Sequence, residues 1–271
     1  MANSPITLFS LFFVTIGVFI VFRYVFKRKK TDKKLLASPF PEAWKTILSE
    51  KVLYYRNLPG DKKKEFEKRA LGFIAHKKIS GVDVEIDDTD KLLVAASAVI
   101  PMFAFPAYDF PNVGEVLLYP NSFDSKFRTE EKGLDQRNIL GMIGDGFMNG
   151  IVILSKPDLE AAYNGTRHRN NVGIHEFVHL IDKADGAVDG VPEILFQHSY
   201  TLPWIKEIRK EMLKIEKGKS DINPYALTNN AEFLSVASEY FFDNPDKLKR
   251  RHPELYSILT KIYKQQPDKI I

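Results

Sequence analysis

Two histidines four residues apart, in the stretch NNVGIHEFVHLID at residues 170–182, constrain this chain more than any other feature. On a helix, His175 and His179 project from one face, and both imidazoles can grip a single metal ion from two tetrahedral corners. Val172, Ile174, Val178 and Ile181 supply the remaining faces, and Asn170 or Asn171 can cap the start. The spacing thus predicts a buried helix, where histidines without partners would be costly. Glu176 sits beside the first of them, placed to reach a metal-activated water without ligating, as a general base for hydrolysis requires.

A catalytic metal of this type needs a third protein ligand and one open position. The downstream candidates are Glu193, His198, Glu232 and Glu239. Residues 228–242 read as a second capped helix carrying Glu232 and Glu239 seven apart on one face, among small and apolar neighbours where carboxylates are seldom left unpaired. Glu232 lies in the first turn, which also suits a capping role, and Glu239 reads better as a structural hydrogen-bonding group. Asp182 shares the face of His179 and reads equally as an acceptor for a ligand N–H or nearby backbone group and as a helix-end carboxylate.

No cysteine occurs in the 271 residues, which excludes disulfide scaffolds, thiol nucleophiles, Cys-ligated zinc and iron–sulfur centres. With 44% hydrophobic and 27% charged residues a globular domain is expected. The net charge of +4 is unevenly spread: residues 1–34 hold seven Lys and Arg against Asp32 alone, so the remainder is slightly acidic and no nucleic-acid partner is expected. Ala2 to Phe22 carries no charge and is apolar on every helical face, matching the thickness of a bilayer core. Residues 1–34 therefore read as a transmembrane anchor, over about 6–26, with a basic juxtamembrane linker. The positive-inside rule places the following domain, 35–271, on the cytoplasmic side.

Within that domain, helices are predicted over 42–55, 62–76 and 91–100, and strands over 82–86, 115–119 and 150–155. The glycine-rich GMIGDG at 141–146 precedes a strand and lacks the Lys-Ser/Thr of a phosphate loop, so it reads as a bend or hairpin. Helices mixed with short strands favour an α+β domain.

The stretch HEFVHLIDKADGAVDGVP from His175, followed by AEFLSVASEYFF from Ala231, resembles the zinc peptidases of the Mlc titration factor A type, and its core pattern is similar to the catalytic domain of anthrax lethal factor. The resemblance extends through PFPEAW at 39–44 and LLYP at 117–120 with Phe123, covering most of residues 38–245. It implies a zincin-like α+β domain with a short mixed sheet, one zinc ion per chain held by His175, His179 and Glu232, and Glu176 as base. It also implies that Tyr225, seven residues before Glu232, donates to the oxyanion, and that residues 150–155 receive a peptide substrate as an added strand. The expected function is a zinc-dependent, aminopeptidase-like peptidase acting on a peptide or protein, anchored in the membrane. The alternative is a non-catalytic, zinc-containing binding module that engages a regulatory protein at the membrane.

Overall fold

Proline or asparagine stands at the start of most of the helices described below. The computed structural model describes residues 36–121, 141–143 (backbone only), 150–164, 170–195 and 200–270. The expected membrane helix over 6–26, the glycines at 144 and 146, and His198 lie outside the described residues. Among the described residues, no helix is long and apolar enough to cross a membrane.

Phe40–Ile271 forms one compact unit. Pro41 opens α1 (Glu42–Lys51), and α2 (Leu53–Asn57) follows. A single helix over 42–55 was the expectation; the break falls at buried, β-branched Val52, which is extended at φ −103°, ψ 95°. Next come α3 (Gly60–His76), β1 (Lys78–Gly81) and α4 (Asp88–Val99). Asp87 and Asp90 cap α4 reciprocally, each side chain accepting the other's backbone N–H, at 3.0 and 2.9 Å. The strand expected at 82–86 lies four residues earlier. Val82 makes the last ladder bond, to Leu118 O at 2.8 Å, and the chain then turns through Asp83 at φ 55°, so the alternation of 82–86 belongs to a loop.

Three strands complete the sheet: β2 (Glu115–Tyr119), β3 (Gly141–Ile143) and β4 (Ile151–Ser155). Their order is β1-β2-β4-β3, with β1, β2 and β4 parallel and β3 antiparallel to β4. The glycine-rich stretch thus begins as a strand paired back onto β4. Helix α5 (Lys156–Ala162) runs directly on from β4, and α6 (Val172–Asp182) carries the two histidines. Four helices follow: α7 (Thr201–Glu216), α8 (Asn230–Asp243), α9 (Pro245–Arg251) and α10 (Pro253–Tyr263). The result is mostly helical with one small, mainly parallel sheet.

Helix α6 is the centre of the core. Val172, Ile174, Phe177, Val178, Leu180 and Ile181 are all buried, against α4, α8 and the strands β3 and β4. Its approach to α4 is close because residue 173 is glycine: a Cβ there would lie 2.1 Å from Ser97 Oγ and 2.7 Å from Ser97 Cβ. Ser97 cannot simply turn away, since its hydroxyl bonds Leu93 O and the phenol of Tyr163, both at 2.9 Å.

Candidate metal centre

Asn171, one of the two predicted caps, closes the start of α6: its side chain accepts the N–H of Ile174 at 3.1 Å. At the start of α8, Asn229 does the same for the N–H of Glu232, at 2.8 Å. The two caps fix the first turns of the two helices, and with them His175 and Glu232.

Three ligand-type atoms converge there. His175 Nε2 lies 3.0 Å from Glu232 Oε2, His179 Nε2 lies 3.2 Å from the same oxygen, and the two Nε2 atoms are 3.1 Å apart. Ligands of a tetrahedral ion with bonds of roughly 2.0 Å stand about 3.3 Å from one another. The triangle therefore has the size a metal ion demands, and it is the one group of His, Asp and Glu among the described residues whose ligand atoms converge in this way. Among the described candidates for the third ligand, Glu232 is the one whose oxygen completes a triangle with the two Nε2 atoms. Glu193 is exposed in the loop after α6, where its N–H bonds Asp185 at 3.1 Å.

Glu239, one turn short of the end of α8, reaches behind the triangle. One oxygen takes His175 Nδ1 at 2.6 Å and the other accepts the backbone N–H of Asn171 at 2.7 Å. With Nδ1 donating to Glu239, the neutral ring presents a lone pair at Nε2, which is the tautomer a metal requires. Burial opposes charge on His175, but Glu232 and Glu239 outweigh it and hold its pKa well above the ordinary value. Burial likewise opposes charge on Glu232, and the two histidines overcome it, holding its carboxyl far below the usual range. A site so short of positive charge fits a metal cation. The structural hydrogen-bonding role expected of Glu239 is present; its partner, the His175 ring on another helix, was not apparent from local spacing.

Glu176 is 5% exposed. Burial pushes its carboxyl above the usual carboxylate range, and the nearby histidines only partly offset this. Tyr225 lies on a 3-10 turn, Pro224–Leu227, and its ring centre is 6.0 Å from that of His175. Asn223 holds the turn in place, accepting the N–H of Tyr225 at 3.0 Å and donating to Asn170 Oδ1 at 3.3 Å. Half of Tyr225 is exposed. The ring thus stands next to His175 at the protein surface.

Two expectations take a definite form. Asp182 accepts the N–H of Gly190 at 2.9 Å, so its partner is the backbone of the following loop. Gly190 has φ 79°, and a Cβ on it would come within 2.4 Å of Asn230 O; its own carbonyl accepts from Trp204 Nε1 at 2.6 Å. The loop is thereby fastened to α6, α7 and the start of α8. The strand 150–155 is not an available edge: β4 bonds β2 on one side and β3 on the other, so no peptide can add to it. Among the described residues, the strand with an unpaired edge next to α6 is β3.

Two histidines on α6 and a glutamate on α8 that converge on one point, with buried Glu176 next to the first histidine, are the arrangement of a metallopeptidase. The chain belongs to the glucose-regulated metallo-peptidase M90 family, whose model matches residues 26–264. It is 27% identical over 244 residues to an uncharacterised protein of Synechocystis sp. (strain ATCC 27184 / PCC 6803 / Kazusa), covering 87% of this chain and 88% of that one. It is also 26% identical to Mlc titration factor A of Escherichia fergusonii, over 83% of this chain and 86% of that one. With Mlc titration factor A of Serratia proteamaculans it shares 26% identity over 64% and 68% of the two chains.

Proposed function

We propose that the chain is a zinc-dependent peptidase of aminopeptidase type, with His175, His179 and Glu232 holding one zinc ion. The observation that carries this reading is the triangle of His175, His179 and Glu232 atoms at 3.0–3.2 Å, with buried Glu176 on the same helix. When bound, zinc supplies an activated water and polarises the scissile carbonyl. Glu176 accepts a proton from the attacking water and returns it to the leaving amine; its raised pKa suits both halves of that task. Tyr225 donates its phenolic hydrogen to the oxygen on which negative charge develops. Glu239 keeps the His175 ring in the required tautomer and orientation. The substrate backbone adds to the edge of β3 that no described strand pairs, where main-chain hydrogen bonds would align the peptide along α6.

The first residues serve, in this reading, as a membrane anchor with the peptidase facing the cytoplasm; carbonate extraction and protease shaving of spheroplasts test it. The name of the titration-factor relatives favours a second reading, a zinc-containing module that binds a regulator without cleaving anything. Zinc content and peptide hydrolysis, measured on the full chain and on His175→Ala, separate the two. The peptidase reading expects close to one zinc per chain and release of amino-terminal residues from unblocked peptides, both lost in the variant. A folded parent that takes up zinc and cleaves none of a broad peptide library would favour the binding module.

A further inference from the structure

Away from the metal site, a cavity of about 180 Å³ opens between α3, the end of α4 and the segment 106–110. Three observations set it apart. The first is Gly72, in the interior of α3 and on the cavity lining. Glycine weakens a helix interior relative to alanine, and close packing is the usual reason to find it there. At Gly173 such a reason exists, but a Cβ at Gly72 would meet nothing within 4 Å. The missing side chain leaves open space.

The second is charge. Lys77 lines the cavity and is 9% exposed; its ammonium donates to Phe110 O at 2.7 Å and has no carboxylate partner among the described residues. Arg69 beside it gives its N–H groups to the carbonyls of Met102, Phe103 and Phe105 and likewise makes no ion pair among them. With Asp109 the one acid on the lining, the two cations outnumber it. Burial pushes the Lys77 ammonium below the usual lysine range, and Asp109 only partly draws it back. The third is size: an apolar cavity of roughly 150 Å³ accommodates benzene.

We propose that this cavity binds a small single-ring carboxylate, its ring in the space left open at Gly72 and its anionic end beside Lys77 and Arg69. The site is mechanically joined to the metal helix. Phe73 and Phe110 form part of its wall and pack edge-to-face on Phe177 of α6, with ring centres 5.6 and 5.0 Å away. Phe110 has φ 54°, an unusual conformation for a side-chain-bearing residue, and the Lys77 bond to its carbonyl helps hold it. A ligand that engages Lys77 therefore acts on the packing around the residue next to Glu176.

The test is isothermal titration of the full chain with benzoate and with benzyl alcohol, its neutral counterpart. Benzoate is expected to bind at one site per chain, about tenfold or more tighter than benzyl alcohol. Binding should persist in His175→Ala, which excludes carboxylate ligation of the metal. It should weaken about tenfold in Lys77→Met and vanish in Gly72→Leu, which fills the open space while favouring the helix. No benzoate binding to the parent, or binding lost in His175→Ala but retained in Gly72→Leu, would overturn the proposal.

Discussion

The carboxylate of Glu239 holds α6 at two points, accepting from the ring of His175 at 2.6 Å and from the backbone of its cap residue Asn171 at 2.7 Å. Glutamine cannot serve both, since its amide nitrogen would face an N–H donor. Glu239→Gln should keep the fold and lower metal affinity by roughly ten- to a hundredfold. Competition with a chromogenic chelator measures this. An unchanged affinity would make the contact incidental.

Glu176→Gln should retain the metal while hydrolysis falls by about two to four orders of magnitude. The carboxyl is buried, so the isosteric amide preserves packing and removes only the proton carrier. Full activity with stoichiometric metal would strip Glu176 of its role as base.

Tyr225→Phe should leave metal content unchanged, since the phenol is not one of the three converging donor groups. If the phenol donates to the oxyanion, kcat should drop by roughly a hundredfold with little change in KM. A rise in KM at constant kcat would make Tyr225 a substrate-binding group instead.

Gly173→Ala tests the contact between α4 and α6. The added methyl meets Ser97 at 2.1–2.7 Å, and Ser97 is tied to Leu93 and Tyr163, so a loss of about 1–3 kcal/mol is expected in thermal or urea unfolding. Adding Ser97→Gly should restore part of it. Two additive losses would show that the clash is relieved elsewhere.

His252 links α7 to the loop that leads to Tyr225. Its Nδ1 is 2.8 Å from Glu211 and its Nε2 2.9 Å from Asp221, while Lys214, Lys247, Arg251 and Tyr240 surround the two acids. Burial alone would lower the His252 pKa; the two carboxylates raise it. Its contribution to stability is therefore complete below about pH 6.5 and is lost as pH rises through the higher native value. Burial would raise Asp221, but His252, Lys247 and Tyr240 hold it down at about 2, so its contribution is present above the ordinary aspartate value and lost as pH falls toward 2. His252→Gln should cost about 3 kcal/mol near pH 6 and progressively less in alkali, read by urea unfolding across pH. A cost independent of pH would mean that packing alone holds the histidine.

The residues that announced themselves in the sequence act through local spacing. His175, Glu176 and His179 share one helix, whose fixed rise and turn put the two histidines on one face with Glu176 beside the first. Glu232 was one of four candidates, because which loop or helix returns to α6 is decided by tertiary packing. Tyr225 was visible only through family resemblance, since a 3-10 turn imposes no periodicity and its site was set by the Asn223–Asn170 bond. The alternation at 82–86 misled because Asp83 turns the chain where a strand would continue. The apolar run at 151–155 did not disclose that β3 covers one side of β4, since pairing partners leave no mark on a buried strand.

The ligand triangle spans sequence as well as space, for His179 and Glu232 are 53 residues apart. An ion held between them is a removable cross-link around the segment containing α7 and the Tyr225 turn. By the same chain statistics that govern disulfides, closing a loop of that length restrains the unfolded chain by about 4 kcal/mol. Metal supply would thus set how long the protein survives, and a chain starved of the ion would be the one that proteolysis removes first.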